Sequence, residues 1–358
     1  MLEGATMSKT IEINGRKISE QYTPYIIAEM SANHNGELNN AKSIITEAKQ
    51  AGADAIKLQT YTPDTITLDS TGEDFRITEG LWAGKTLYEL YSQAHLPFAW
   101  HKPLFDHARS IGISIFSTPF DSTAVDLLED LGAPAYKIAS FEAIDLPLIR
   151  YVAATKKPMI ISTGMTNLEE IGEAVDAARS SGCKELALLK CVSSYPAQAE
   201  DYNLAAIGLL KNNFNVPVGL SDHTLDTTAA ISSVALGAAI IEKHFTLNRS
   251  GGGPDDSFSI EPIELLELRK VCDRAFLARG DGNIEPSQSE LGNTRFRRSL
   301  YFCADLKSGD YITTAAVRSV RPGFGLPPKH LDKILGLAVN KDIPKFKPVS
   351  WDDIETRA

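Results

Sequence analysis

Two short stretches, Ser221-Asp222-His223 and Glu242-Lys243-His244, each close an apolar run of the kind that forms a buried strand. The runs are Val216–Leu220 and Ala238–Ile241, and a helix-patterned segment, Thr227–Leu236, separates the two stretches. A strand, a helix and a second parallel strand would bring both histidines to neighbouring carboxyl ends on one side of a sheet or barrel. Two neutral imidazoles so placed can hold one divalent metal and leave other coordination positions open. The plainer alternative is a pair of polar core histidines. Other strand ends add to the metal reading: Glu29, Lys57 with Gln59, Ser117-Thr118, Lys137 with Ser140 and Glu142, Ser162-Thr163-Gly164, and Lys190 followed by Ser193-Ser194-Tyr195. Lysine at the end of an apolar strand is costly unless it meets an anion. Lys57 and Lys137, ringed by hydroxyls of Thr118, Ser140, Ser162 and Ser221, therefore read as a cradle for a phosphate or carboxylate. Glu29 and Glu142 are candidate acid–base carboxylates, unless each only pairs with a cradle lysine. Asp255, after Gly251-Gly252-Gly253-Pro254, could accept hydrogen bonds from substrate hydroxyls or be a solvated turn.

A repeating element must position these residues. Strand-like runs fall at Tyr25–Met30, Ala55–Thr60, Ser114–Phe120, Ala135–Ser140, Met159–Gly164, Leu186–Val192, Val216–Ser221 and Ala238–Phe245, with helical patterns and glycine stops between most of them. Nearly continuous apolar strands have both faces buried. Eight strand–helix repeats argue an α/β fold, a (β/α)8 TIM barrel over residues 23–282, rather than an open doubly wound sheet. No G-x-G-x-x-G follows the first strand, which counts against a dinucleotide fold. Residues 1–22 read as an N-terminal hairpin turning at Asn14-Gly15, a pair suited to a type I′ turn. Asp64–Pro97 is a long insertion, either a lid or a surface helix. Residues 283–297 read as a polar linker and 298–358 as a small domain, marginal by itself at its size.

With 358 residues, the chain is long enough for a barrel of ~250 residues and a small companion. Its net charge of −10 argues against nucleic acid and anionic membranes as partners. No apolar run approaches the ~20 residues of a membrane span, and MLEGATMSKT has no signal-peptide stretch. Four widely spaced cysteines, with no C-x-x-C, read as reduced thiols of a cytoplasmic protein.

These motifs resemble the sialic acid synthase family. The likeness runs from residue 10 onward and rests on Ile27-Ala28-Glu29 with Asn33-His34-Asn35, Ile56-Lys57-Leu58-Gln59, Ser117-Thr118-Pro119-Phe120, Tyr136-Lys137-Ile138-Ala139-Ser140, Ser162-Thr163-Gly164-Met165, Gly219–Thr224, Glu242–Thr246 and Arg321-Pro322-Gly323. The resemblance implies a small C-terminal antifreeze-like (SAF, β-clip) domain on the barrel, and condensation of phosphoenolpyruvate with an N-acylated amino sugar. It implies Mn2+ or Mg2+ on His223 and His244. It implies phosphoenolpyruvate on Lys57, Thr118, Lys137, Ser140, Ser162 and Ser221, and sugar contacts from Glu29, Tyr195 and Asp255. Arg321 would reach the sugar in the partner's site of a domain-swapped homodimer.

Within the family, Glu29–His34, Gly80-Leu81-Trp82, Leu87–Tyr91 and Ser140–Ala143 are closest to the branch whose acceptor is a diacetamido-trideoxy sugar. Ser193 stands where the sialic acid pattern has asparagine, which argues against N-acetylmannosamine and makes Ser193 a substrate-binding candidate. N-acetylneuraminate and legionaminate formation remain alternatives. Two other classes also stay open: a Schiff-base aldolase using Lys137 or Lys190, and an inactive barrel carrying a carbohydrate- or ice-binding module.

Overall fold

The computed structural model describes residues 9–355. It divides into two compact units, Met1–Gly280 and Asp281–Ala358. The first opens with an antiparallel hairpin, β1 (Ile11–Ile13) and β2 (Arg16–Ile18), turning at Asn14 and Gly15, both with positive φ. The part of the expected hairpin before residue 9 lies outside the described residues.

Eight parallel strands follow and close on themselves: β3 (Tyr25–Glu29), β4 (Ala55–Thr60), β5 (Ser114–Pro119), β6 (Tyr136–Ile138), β7 (Met159–Ser162), β8 (Leu186–Cys191), β9 (Val218–Asp222) and β10 (Ile240–His244). The closing edge pairs β10 with β3, with His244 opposite Glu29. β6 is shorter than its apolar run suggested, because the chain tightens into a 3-10 turn at Ser140–Glu142. Side chains alternate along each strand. One set, including Ile26, Ala28, Ile56, Leu58, Ile138 and Leu188, packs outward on the helices. The other, including Tyr25, Ile27, Ala55, Phe116, Ile160 and Leu189, fills the barrel together with Ile11, Ile13 and Ile18 of the hairpin. The hairpin thus stoppers the amino end of the barrel. The inward set turns polar only toward the carboxyl end, where the candidate residues stand.

The second unit pairs β11 (Ser299–Phe302) with β12 (Val317–Val320), antiparallel, over a separate core that includes Leu300, Phe302, Val317, Ile334 and Val339. A 3-10 turn, Leu291–Phe296, occupies part of the polar stretch before it. No helix among the described residues is long and apolar enough to cross a membrane.

Candidate active site

Strand alternation explains which polar residues meet. Glu29 lies two positions beyond inward Ile27, Lys57 beyond Ala55, Thr118 beyond Phe116, and Glu242 beyond Ile240, so all four face the barrel interior. There they form a buried network. Lys57 Nζ makes an ion pair with Glu29, lies 3.7 Å from Glu242 Oε1 and donates to Thr118 Oγ1 at 3.1 Å. Lys137 Nζ lies 3.5 Å from the same Glu242 oxygen, and Ser221 Oγ donates to it, also at 3.5 Å. The cradle lysines therefore already have carboxylate partners. One of these, Glu242, was not singled out from the sequence, although its place two residues before His244 puts it on the same inward face.

The four charges shape one another. Burial alone would neutralise Lys57, but Glu242 and Glu29 raise its pKa above the ordinary lysine value. Burial pulls the pKa of Lys137 down, and Glu242 offsets this only in part. Burial opposes ionisation of Glu242, yet Lys137 and Lys57 hold its pKa below the usual carboxylate value. Burial dominates at Glu29 and raises its pKa. The quartet has no net charge when all four groups are ionised.

Around it stand hydroxyls. Ser140 Oγ accepts from Gly164 N at 3.0 Å. A Cβ at Gly164 would fall 2.3 Å from Ser193 Oγ and 2.7 Å from Ser140 Oγ, so only glycine leaves this hydroxyl pocket open. Ser162 Oγ is buried and has no hydrogen-bond partner among the described residues, as is true of Glu142 Oε2, Glu242 Oε2 and His244 Nδ1. Native interiors rarely leave such groups unmet, and a ligand is one of the partners that satisfy them. Glu142, at the turn after β6, is pushed by burial up to about 7.

His223 and His244 face each other with ring centroids 5.4 Å apart. His223 Nδ1 lies 2.7 Å from Val192 O, which only its N–H form can satisfy, so Nε2 is the nitrogen left for a ligand. Burial opposes a charge on this ring, but the hydrogen bond and charge of Cys191 raise its pKa above the ordinary value, so a metal would take the place of the Nε2 proton. Burial, then the neighbouring charge of His223, drives the pKa of His244 well below the ordinary value and keeps that ring neutral, the form that binds metal. Among the described residues no third His, Cys, Asp or Glu joins them as a ligand set. The pair thus fits a metal held by two protein nitrogens, with its remaining positions left to substrate and water. Cys191 at the end of β8 is a further residue not foreseen from the sequence. Burial would raise its thiol, but its hydrogen bond to His223 and the charge there bring it down to about 7.

Loops form the walls. Tyr195 packs on His223 at 4.4 Å between ring centroids and on Phe258 at 5.3 Å. Trp82, from the insertion, lies 6.0 Å from Tyr195, and its Nε1 donates to Pro254 O at 3.0 Å. The Asp64–Pro97 insertion therefore reaches the mouth, and its helix Leu87–Ala94 adds Tyr91 against Tyr61. Asp255 is buried beside Ser31, whose Oγ donates to it, and Gln59 Nε2 donates to that Oγ at 2.9 Å. The glycine loop itself is held by Asp256, which accepts from Gly253 N at 2.8 Å, Asn35 Nδ2 at 3.0 Å and Thr246 Oγ1 at 2.5 Å. Lys190 is different: alternation places it on the helix-facing side of β8, and its Nζ donates to Cys191 O at 3.2 Å. Arg321 belongs to the second unit, where it is exposed just beyond β12.

Comparison with known proteins follows the same lines. Residues 44–284 match the NeuB family and residues 297–355 the SAF domain. The chain is 46% identical over 319 residues to the pseudaminic acid synthase of Campylobacter jejuni subsp. jejuni serotype O:2, covering 89% of this chain and 93% of the relative. It is 43% identical over 333 residues to that of Helicobacter pylori, covering 93% and 98%. The crystal structure of N-acetylneuraminic acid synthetase from Leptospira borgpetersenii serovar Hardjo-bovis, in complex with citrate, superposes with a TM-score of 0.73 at 34% identity, covering 81% of this chain and 96% of that one.

Proposed function

The chain belongs to the NeuB family, and we propose that it joins phosphoenolpyruvate to 2,4-diacetamido-2,4,6-trideoxy-altropyranose and water, giving pseudaminic acid and inorganic phosphate. The observation that carries this reading is the buried quartet of Lys57, Lys137, Glu29 and Glu242, ringed by hydroxyls and set beside two neutral-capable imidazoles. The choice of acceptor is supported by likeness to two pseudaminic acid synthases over most of the chain. Its four free cysteines suit a reducing cytoplasm.

Phosphoenolpyruvate is held by Lys57, Lys137, Thr118, Ser140, Ser162 and Ser221. Its enol carbon bonds to the aldehyde carbon of the open-chain sugar, a step made easier by fixing both in contact. The positive charge that develops at the phosphate-bearing carbon is met by water, whose proton passes to Glu142, and the tetrahedral intermediate expels phosphate. A divalent Mn2+ or Mg2+ ion on His223 and His244 would polarise the aldehyde oxygen. An anion entering a quartet of no net charge needs added positive charge, which also favours a cation on this pair. Glu29, Ser193, Tyr195 and Asp255 line the sugar side, with Trp82 above Tyr195.

A second reading has one observation in its favour. A lysine with a lowered pKa, as at Lys137, is what a Schiff-base aldolase needs. Borohydride added during turnover separates the two. The condensing reaction leaves the protein mass unchanged and releases one phosphate per product; an adduct on Lys137 contradicts it.

Glu142 gives a pH test. Its base form gains population as pH rises through about 7 in the free protein, so kcat/KM should climb across that range. Glu142→Gln should lose that limb and ~10²–10⁴ of the rate. An unchanged profile would remove Glu142 from this role.

The small unit offers Arg321 and an exposed Phe324 on one turn. In the proposed domain-swapped dimer, Arg321 donates to an acyl oxygen of the sugar in the partner's barrel. Mixing inactive His244→Ala protein with inactive Arg321→Ala protein should then restore up to about a quarter of wild-type activity, since half of randomly mixed dimers carry one intact site of two. No recovery, with mixed dimers shown by native mass spectrometry, would refute the swap.

A further inference from the structure

Both histidines are preceded by a charged residue that points the other way. Asp222 and Lys243 stand opposite each other in the β9–β10 register and, by alternation, face the helices rather than the barrel interior. Their side chains are 0% and 1% exposed, and Lys243 Nζ lies 2.8 Å from Asp222 Oδ2. The same Nζ donates to Thr224 O at 2.6 Å. Thr224 is tied back to Asp222 Oδ1 through its N at 2.9 Å and its Oγ1 at 2.8 Å. A single ammonium group therefore grips the residue before His223 and the residue after it, while its own main chain leads directly into His244.

We propose that Lys243 is a positioning residue, which with Asp222 and Thr224 sets the spacing of the two imidazoles for a divalent cation; this rests on the reading that His223 and His244 hold one. The geometry separates it from an ordinary buried ion pair. A pair that only stabilised the wall could sit anywhere along the two strands. This one is at the last paired position before both ligands and also captures a loop carbonyl beyond one of them. Outer groups that orient metal ligands typically change affinity ~10–100-fold when lost.

The test uses Mn2+ binding by the full chain, followed through the electron paramagnetic resonance signal of the free ion, with phosphoenolpyruvate affinity measured calorimetrically without metal. Lys243→Met and Asp222→Asn should weaken Mn2+ binding ~10–100-fold and leave metal-free phosphoenolpyruvate binding within about twofold. Because removing one member of a buried pair also destabilises, the double variant Asp222→Leu/Lys243→Met serves as the control. Replacing both charges with apolar groups is often neutral for stability. It should melt no earlier than the single variants, the Thr224 hydrogen bonds being lost but no charge left unpaired, and still bind Mn2+ weakly. Recovery of Mn2+ affinity along with stability would overturn the proposal and leave a structural pair. Unchanged Mn2+ affinity in the single variants would overturn it as well. Wild-type protein that binds no Mn2+ would instead refute the metal reading on which the proposal stands.

Discussion

Replacing either His223 or His244 with alanine should lower turnover by at least ~10³-fold while leaving the fold intact, and EDTA should silence the wild-type protein reversibly. Their structural contacts are mainly ring packing, on Tyr195 and on each other, with Phe258 against His244. His223 holds Val192 O through Nδ1, and His244 Nδ1 holds nothing among the described residues. With no hydrogen bond lost at Nδ1, His244→Ala should cost only the packing of its ring on Tyr195, His223 and Phe258. Circular dichroism and phosphate release measured on the same samples check both halves. Full activity in thoroughly demetallated protein would sink the assignment.

The lysines should behave unequally. Lys137→Met removes one cation from the cradle but leaves Glu242 its contact with Lys57. It should lose about 2–3 kcal/mol of phosphoenolpyruvate binding, on the scale of hydrogen bonds to charged groups, and little sugar binding. Lys57→Met strips Glu29 of its ion-pair partner and leaves Glu242 only Lys137. Breaking a buried pair in this way typically costs about 3–5 kcal/mol of stability, so this variant should melt earlier as well as bind weakly. Calorimetry with phosphoenolpyruvate and a thermal melt distinguish them. Unchanged phosphoenolpyruvate affinity in both variants would mean that the cradle lies elsewhere.

The barrel was legible because its strands are apolar on both faces and its helices stop at glycines, a rhythm that survives without side-chain detail. The strand-end residues were legible for the same reason: a charge or hydroxyl at the end of such a run has few structural uses. What each residue meets was harder to read. Lys57 and Lys137 looked like cations awaiting an anion, and Glu242 became their shared partner only when alternation and barrel closure were combined. Counting back two residues from His244 would have found it. Cys191 could be found likewise, two residues beyond inward Leu189. Trp82 could not, since its approach to Tyr195 depends on how a long insertion folds back over the mouth. The 3-10 turns at Ser140–Glu142 and Leu291–Phe296 were also missed, because single turns carry no periodicity.

The most direct measurement offers purified protein phosphoenolpyruvate with a panel of acceptors: the diacetamido-trideoxy altrose, its legionaminate-type epimer, and N-acetylmannosamine. Phosphate release and product mass are read together. The proposed function requires one phosphate per nine-carbon product, with kcat/KM highest for the altrose acceptor. Equal or better turnover of N-acetylmannosamine would contradict the acceptor assignment, and no phosphate release with any acceptor would contradict the condensation itself.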